Sequence, residues 1–586
     1  MIGVRFLAVL LLVGGVTPVD GALPPAWRKP SAAVLLEGGT RLAVANEGTG
    51  SLSLVALKSA GDDAGAGDSR VVEQAVGRSL TDLAAIPSTG WLLATDAGTH
   101  ELRGLKVDGD AVVTLGTAPV AKHPVSVCVS HDGRLASVAS LWSRCVTLVE
   151  LDLTPAGPEL RPVAVLPLEF NPRLQLVLDD RRVLVVDAFG GRLALIDLAE
   201  RTVKPLRSLH GGNVRGVALS RDKEHVVFAH SIQNPLAHTD FNDIHWGMLT
   251  NNVLREIPLA GLIDPSSAER ETPVRQVGQP GFGAADLAGL AQLRNGNWAV
   301  LSSGTGDLSI LTTPAGISAR ISVGARPLSL VLDDRGTVFV VNQLSDSISV
   351  VDPAGGAVVE TISLGPMPEP TPASRGERLF FSAKLSHDQW LSCHSCHVDG
   401  HTTNGLADTH SDGTFGTPKK ILSLLGTRDA NPWGWNGAFR ELHEQVESSI
   451  TSSMQGPQPT LEEVSDLTAY LHTLRAAPPV LDPVGEEQVE SVAAGRQVFE
   501  REGCAKCHVP SLTFTTDAVF DVGLTDEEGL SKFNPPSLRG VSQRSTFLHD
   551  GRAKSLRSVF EDHSHQIPGG LGPQDLNRLL EYLRSI

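Results

Sequence analysis

"RPLSLVLDDRGTVFVVNQLSDSISVVDP", Arg326 to Pro353, holds three strand-length apolar runs separated by an Asp-Asp-Arg-Gly turn and a short polar turn. Alternating β-branched and small residues between turn-forming residues are the mark of antiparallel strands. The same layout opens at Pro30, Ser79, His123, Asn171, Asn213 and Asp286, seven times in all, and most intervals lie in the forties. A four-stranded unit repeating every ~40 to 50 residues cannot bury its faces alone, whereas a closed ring of such units can. The spacing therefore predicts an all-β seven-bladed propeller over residues 30–365. The fifth interval is longer and carries an insertion at about 231–284; His230 precedes it, and His238 and His245 lie within it. A polar surface insertion is its default reading, with a docking loop or a metal site as the sharper ones.

Cys128 and Cys145 fall on the first and third strands of the third unit. Two strand spacings of ~4.8 Å exceed the ~7 Å Cα limit of a disulfide, which predicts two buried thiols.

After the Pro-rich stretch "SLGPMPEPTPA", Ser363 to Ala373, the periodicity becomes helical. "TLEEVSDLTAYLHTL" opens at Thr460 with a capping box and sets Leu461, Val464, Leu467, Leu471 and Leu474 on one stripe. "GPQDLNRLLEYLRSI" ends the chain in the same way. Cys393 and Cys504, Gly437 and Gly551, and Tyr470 and Tyr582 are separated by 111, 114 and 112 residues. Nearly equal offsets imply an internal duplication into two mainly helical domains, residues 366–478 and 484–586.

Each copy holds one Cys-x-x-Cys-His, in "WLSCHSCHVDG" and "REGCAKCHVPS", and these use four of the six cysteines. The spacing is that of c-type haem attachment, in which two thiols make thioethers to the haem vinyls and the next imidazole meets the iron. Cys393 and Cys396 are thus assigned to one covalent haem with His397 as its proximal ligand, and Cys504 and Cys507 to another with His508. A four-Cys zinc site or a dithiol redox pair would leave the histidines unexplained.

The N-terminus reads Arg5, the apolar run "FLAVLLLVGGV" from Phe6 to Val16, then "TPVDGA", the layout of a secretory signal over residues 1–22. The run falls short of the ~20 residues of a membrane span, so the mature protein is expected in the periplasm or outside the cell, with no membrane span. A formal charge of −17 argues against nucleic-acid partners.

The first half resembles the YVTN propeller repeats, as in "VVNQLSDSISVVDPAGGAVVETISLG". From about Pro366 to Ile586, "GERLFF", "SCHSCH", "PWGWNGAFRELHEQ", "GCAKCH" and "FNPPSLRGVSQRSTFLHDGRAKSLRSVF" resemble the bacterial di-haem cytochrome c peroxidase and MauG family. That resemblance implies that Trp435, in "WNG", lies between two haems and carries electrons. It implies a distal ligand for the second haem fourteen residues beyond His549, where His563 stands, with His565 as the alternative. The four methionines are Met1, Met248, Met367 and Met454, so none follows the second attachment motif, and both tyrosines sit where packing suits them better than ligation. His410 stands near the place of the first haem's removable distal histidine, with His401 as the alternative, and Ser453 replaces the family's acidic residue before Met454. The resemblance also admits a calcium ion between the haem domains, which no residue pattern here marks.

Two functions follow. One is an exported, peroxidase-like di-haem oxidoreductase taking electrons from a small redox protein or other donor and acting on hydrogen peroxide or an unidentified substrate, with Trp435 and His410 as its catalytic residues. The other is an electron-transfer cytochrome with both irons six-coordinate. In either, the propeller serves as a binding or docking platform.

Overall fold

The computed structural model describes residues 24–57, 69–264, 272–312, 316–410 and 413–586. The expected leader, residues 1–22, lies outside them.

Seven four-stranded antiparallel sheets follow one another from Pro30 to Ser363, each a simple meander. Their first strands begin at Pro30, Leu80, Pro124, Pro172, Gly212, Leu287 and Pro327, within about a residue of the openings read from the sequence. These first strands abut one another around the ring, and the seventh meets the first. A propeller has two faces per blade to bury, and alternation along a strand divides its side chains between them. On Arg41–Asn46, Leu42 and Val44 enter the apolar cluster shared with blade seven, while Ala43 and Ala45 enter the one shared with blade two. The middle strands therefore read as continuous apolar runs. Full burial of each large side chain contributes ~1.5 to 3 kcal/mol.

Among the described residues no strand is shared to close the ring. The segment before the first strand does it instead: the backbone N–H groups of Arg28 and Lys29 donate to the Asp346 carboxylate at 2.8 and 2.9 Å. The fully buried Arg28 guanidinium donates to Glu73 at 2.9 Å and to the Pro366 carbonyl at 3.0 Å. Both ends of the propeller are thus tied to one side chain.

Cys128 and Cys145 are unbridged, as expected; Cys145 is buried and Cys128 half-buried.

In the helical half, Pro372–Phe380 packs on Leu461–Leu471, and Glu486–Arg501 packs on Pro573–Arg584. Both crossings are made close by a glycine: a Cβ at Gly376 would lie 1.9 Å from the Asp466 carbonyl oxygen, and one at Gly495 2.0 Å from that of Arg578. Tyr470 packs on Phe380 with ring centroids 5.2 Å apart, and Tyr582 on Phe499 at 5.5 Å. The two halves of the duplication thus repeat the same contacts. The helical stripe is shorter than the sequence suggests, because Leu461 is the first helical residue and points to solvent at 90% exposure, and Leu474 lies beyond the helix end.

Propeller and helical half share a core. Ile244, Leu249 and Leu344 of the propeller cluster with Phe380, Leu385, Trp390 and Leu467. The default reading of the insertion as a polar surface loop is overturned here. Its helix Phe241–His245 sits at this seam, the Trp390 indole donates to the His245 carbonyl at 3.1 Å, and Gln455 donates to that of Thr239 at 2.8 Å. Among the described residues, no helix is long and apolar enough to cross a membrane.

Candidate functional site

The first Cys-x-x-Cys-His forms one helical turn, Cys393–Cys396, whose N-cap Ser392 donates its N–H to the Ser395 hydroxyl at 2.9 Å. Both hydroxyls then donate to Asp286 of the propeller, at 2.5 and 2.7 Å. Asp286 is buried, and desolvation raises its pKa against the opposing pull of these two hydroxyls. The next turn is held as tightly: Asp399 accepts from Arg173 and Arg215 at 2.6 Å each and from Arg326 at 3.1 Å, three guanidiniums from three blades. Arg326 also lies 3.4 Å over the Phe381 ring. Gln233 reaches Cys396 Sγ at 3.5 Å while accepting from Thr403 at 2.8 Å. The propeller therefore grips the segment on both sides of His397.

His397 Nδ1 donates to the Leu422 carbonyl at 2.8 Å, and His508 Nδ1 donates to that of Phe514 at 3.1 Å. A carbonyl only accepts, so each ring keeps Nε2 unprotonated for a ligand. Burial, the largest cause, brings both down to about 4, so both are neutral at neutral pH.

Each motif borders a cavity of about 290 Å³. The first is lined by Cys393, Cys396 and His397, and also by Trp433, Gln445, Ser449, Ser453 and Met454. Ser449–Ser453 is a π-helical turn, a local form often found at functional sites. The second cavity is lined by Cys504, Cys507 and His508 together with His549 and His565. Trp435, Lys420 and Arg544 line both. Trp435 is fixed between them by its indole N–H, which donates to the Lys420 carbonyl at 2.7 Å, and by its own carbonyl, which accepts from Asn534 at 2.7 Å. Burial lowers Lys420 to about 7 and Arg544 to about 10.

The histidines named from the sequence separate clearly. His565 borders the second cavity and His563 does not. The buried His565 Nδ1 and His549 Nε2 find no hydrogen-bond partner, an arrangement that costs free energy unless something binds there. His410 is exposed against Phe415 at 4.7 Å and stands off the first cavity. His401 is buried between Trp142 and Phe189, with its nitrogens on the Ser423 hydroxyl at 2.9 Å and the Gln543 carbonyl at 3.3 Å. Among the described residues, His397 is the only imidazole lining the first cavity. Unbridged thiols, an Nε2 kept available beside each pair and orphaned nitrogens on the second wall fit covalent haem at both cavities. Sequence reasoning missed Gln445, Lys420, Arg544, Asp286 and Asp399. Only the last carries a local signal, standing two residues after the motif.

Residues 372–502 match the family model described as di-haem cytochrome c peroxidase. The chain is 25% identical over 250 residues to methylamine utilization protein MauG of Methylorubrum extorquens, covering 34% of this chain and 70% of that one. It is 20% identical over 312 residues to cytochrome c551 peroxidase of Nitrosomonas europaea, covering 42% and 91%. It is also 24% identical over 271 residues to hydrazine synthase subunit gamma of Kuenenia stuttgartiensis, covering 36% and 76%. Residues 372–502 thus match the di-haem cytochrome c peroxidase model, and the helical half is similar to MauG and cytochrome c551 peroxidase, a likeness that implies haem as cofactor and supports a peroxidase-like oxidoreductase.

Proposed function

We propose that the protein is an exported di-haem oxidoreductase in which the first cavity meets peroxide or another small oxidisable or reducible substrate and the second passes electrons to it. The observation that carries this reading is the unequal supply of imidazoles: one on the first cavity among the described residues, three on the second.

Bound covalently through Cys393 and Cys396 and through Cys504 and Cys507, haem supplies the redox-active iron at each place. The chain's part is positioning and proton handling. His397 and His508 would each hold an iron through Nε2, oriented by the carbonyl partner of Nδ1. His565, which borders the second cavity with an unpartnered Nδ1, would hold a haem iron there together with His508, and a site so held would serve as an electron relay. At the first cavity the Gln445 amide and the Ser449 and Ser453 hydroxyls offer hydrogen bonds to a substrate oxygen. They cannot provide the acid strength of a carboxyl group, so slow peroxide cleavage or a different substrate follows from Ser453. Trp435 lines both cavities, and Lys420 and Arg544, which line both as well, would supply positive charge to the carboxylates of a bound haem. The propeller holds the proximal segment of the first site and leaves its far rim to a redox partner.

Met454 lines the first cavity and supports the second reading, an electron carrier with both irons six-coordinate. Its place in the seam core, where it is 7% exposed, favours packing instead. The second site is tested by electron paramagnetic resonance of ferric variants. His565→Ala is expected to convert one low-spin signal to high spin and His563→Ala to leave it unchanged. The opposite pattern would return the ligand to His563.

A further inference from the structure

Five residues before Cys393, Asp388 sits in a left-handed backbone conformation, φ 51°, that turns its carboxylate toward the propeller insertion. There it meets two imidazoles. His245 Nδ1, from the last turn of the insertion's helix, lies 2.7 Å from Asp388 Oδ2, and His387 Nε2 lies 3.2 Å from the same oxygen. All three donor atoms fall within 4.8 Å of one another. His387 Nε2 is buried and makes no hydrogen bond, so its approach to the carboxylate is close without the angle a proton transfer or hydrogen bond requires. The Phe241 ring covers both imidazoles, at 5.7 and 4.4 Å. The cluster is anchored by backbone: the Gly281 N–H donates to Asp388 Oδ2 at 3.0 Å, the Gly283 N–H donates to the Asp388 carbonyl at 2.7 Å, and the His387 N–H donates to that of Met454 at 3.0 Å.

We propose that His245, His387 and Asp388 form a binding site for a divalent transition-metal ion, zinc or a close relative, which clamps the propeller insertion to the first haem domain. Two imidazoles and one carboxylate are ligands of the right hardness for zinc, and the fourth position is left to water. With bonds of ~2.0 to 2.1 Å, a tetrahedral ion separates its ligand atoms by about 3.4 Å, so the two observed approaches to Asp388 need to open by less than an ångström. The three side chains are 32%, 23% and 19% exposed, enough for an ion to enter. Two other groupings of this kind lack a buried imidazole nitrogen without a hydrogen-bond partner, which His387 Nε2 supplies here. In His238, Asp240 and Asp243 the imidazole is 42% exposed, and the carboxylates accept the backbone N–H groups of Asp243 and His238, both at 2.8 Å. In Asp222, Glu224 and His225, Asp222 accepts from the Ser220 hydroxyl and the Glu224 N–H within an exposed turn.

The test uses the full-length haem-loaded protein, stripped with chelator and titrated with zinc chloride by calorimetry, with metal content measured by mass spectrometry after gel filtration. One zinc per chain is expected in the wild type, together with a higher Tm. His245→Ala and His387→Ala should each weaken binding at least ~100-fold and abolish the Tm shift, and His238→Ala should change neither. Asp388→Asn repeats the loss with the least change in shape, should either alanine variant fail to fold. Absence of stoichiometric zinc in the wild type, zinc retained by the His245→Ala/His387→Ala pair, or zinc lost in His238→Ala would each overturn the site.

Discussion

Asp399 stands two residues after His397, and its neighbours decide its state. Burial opposes its ionisation, and Arg215, Arg173, His394 and Arg326 more than offset this, holding its pKa well below the usual carboxylate range. Burial and the adjacent Arg215 in turn bring Arg173 down to about 10. Removing this carboxylate takes the direct partner from three clustered guanidiniums, with the buried Glu47 the further carboxylate that acts on Arg173 and Arg326. Breaking a buried pair costs ~3 to 5 kcal/mol, so Asp399→Asn should lower the urea midpoint of the first unfolding transition and disturb the first haem's absorption before the second's. An unchanged midpoint would mean the arginines find other partners. The residue scale is also where the sequence was hardest to read. His563 follows from counting along a family pattern, but the chain turns just past the helix Leu556–Glu561, where the His563 N–H bonds back to the Ser558 carbonyl and the His565 N–H to that of Val559. That turn puts His565 on the cavity, and nothing in local periodicity reports it.

At the scale of elements, the strands were legible because each blade repeats one local rule, alternation between two buried interfaces. The helices of the duplication were legible for a similar reason, through capping boxes and equal offsets. The insertion was not, because what defines it lies about 150 residues away in the chain: Trp390 and Asp388 give its polar residues their partners. The blade that carries it holds a pH liability. His230 lies buried on His225–Gln233, its Nε2 accepting from Arg255 at 3.2 Å. Burial first, and the Arg255 charge second, lower its pKa from 6.5 to about 3. His210 adds to this in the same direction. Below pH 6.5 the unfolded chain therefore takes up a proton that the folded one refuses, and stability falls as pH drops toward 3, by at most ~1.4 kcal/mol per pH unit from this group. His230→Gln keeps an acceptor for Arg255 and cannot titrate. Its urea midpoint should fall less steeply than the wild type's between pH 6.5 and 4.5. Parallel slopes would remove His230 from the account.

The whole molecule joins two modules whose separate natures the sequence announces and whose union it conceals. Period and turn chemistry mark the ring, and Cys-x-x-Cys-His marks the redox half, yet the polar contacts that hold the first attachment segment to the ring come from Asp286, Arg173, Arg215, Arg326 and Gln233, each unremarkable in its own strand or loop. Together they turn the propeller into the floor of the first site, so that among the described residues one cavity is lined by a single imidazole while its duplicate gains His549 and His565. That asymmetry within a duplicated frame is the centre of the functional account. Low-temperature electron paramagnetic resonance of the matured wild type, fully ferric and then half reduced, tests it most directly. One low-spin signal from the second site and one high-spin signal from the first, present at once or appearing on half reduction, are predicted. Two low-spin signals that persist through half reduction would contradict the account and leave a six-coordinate electron carrier in its place.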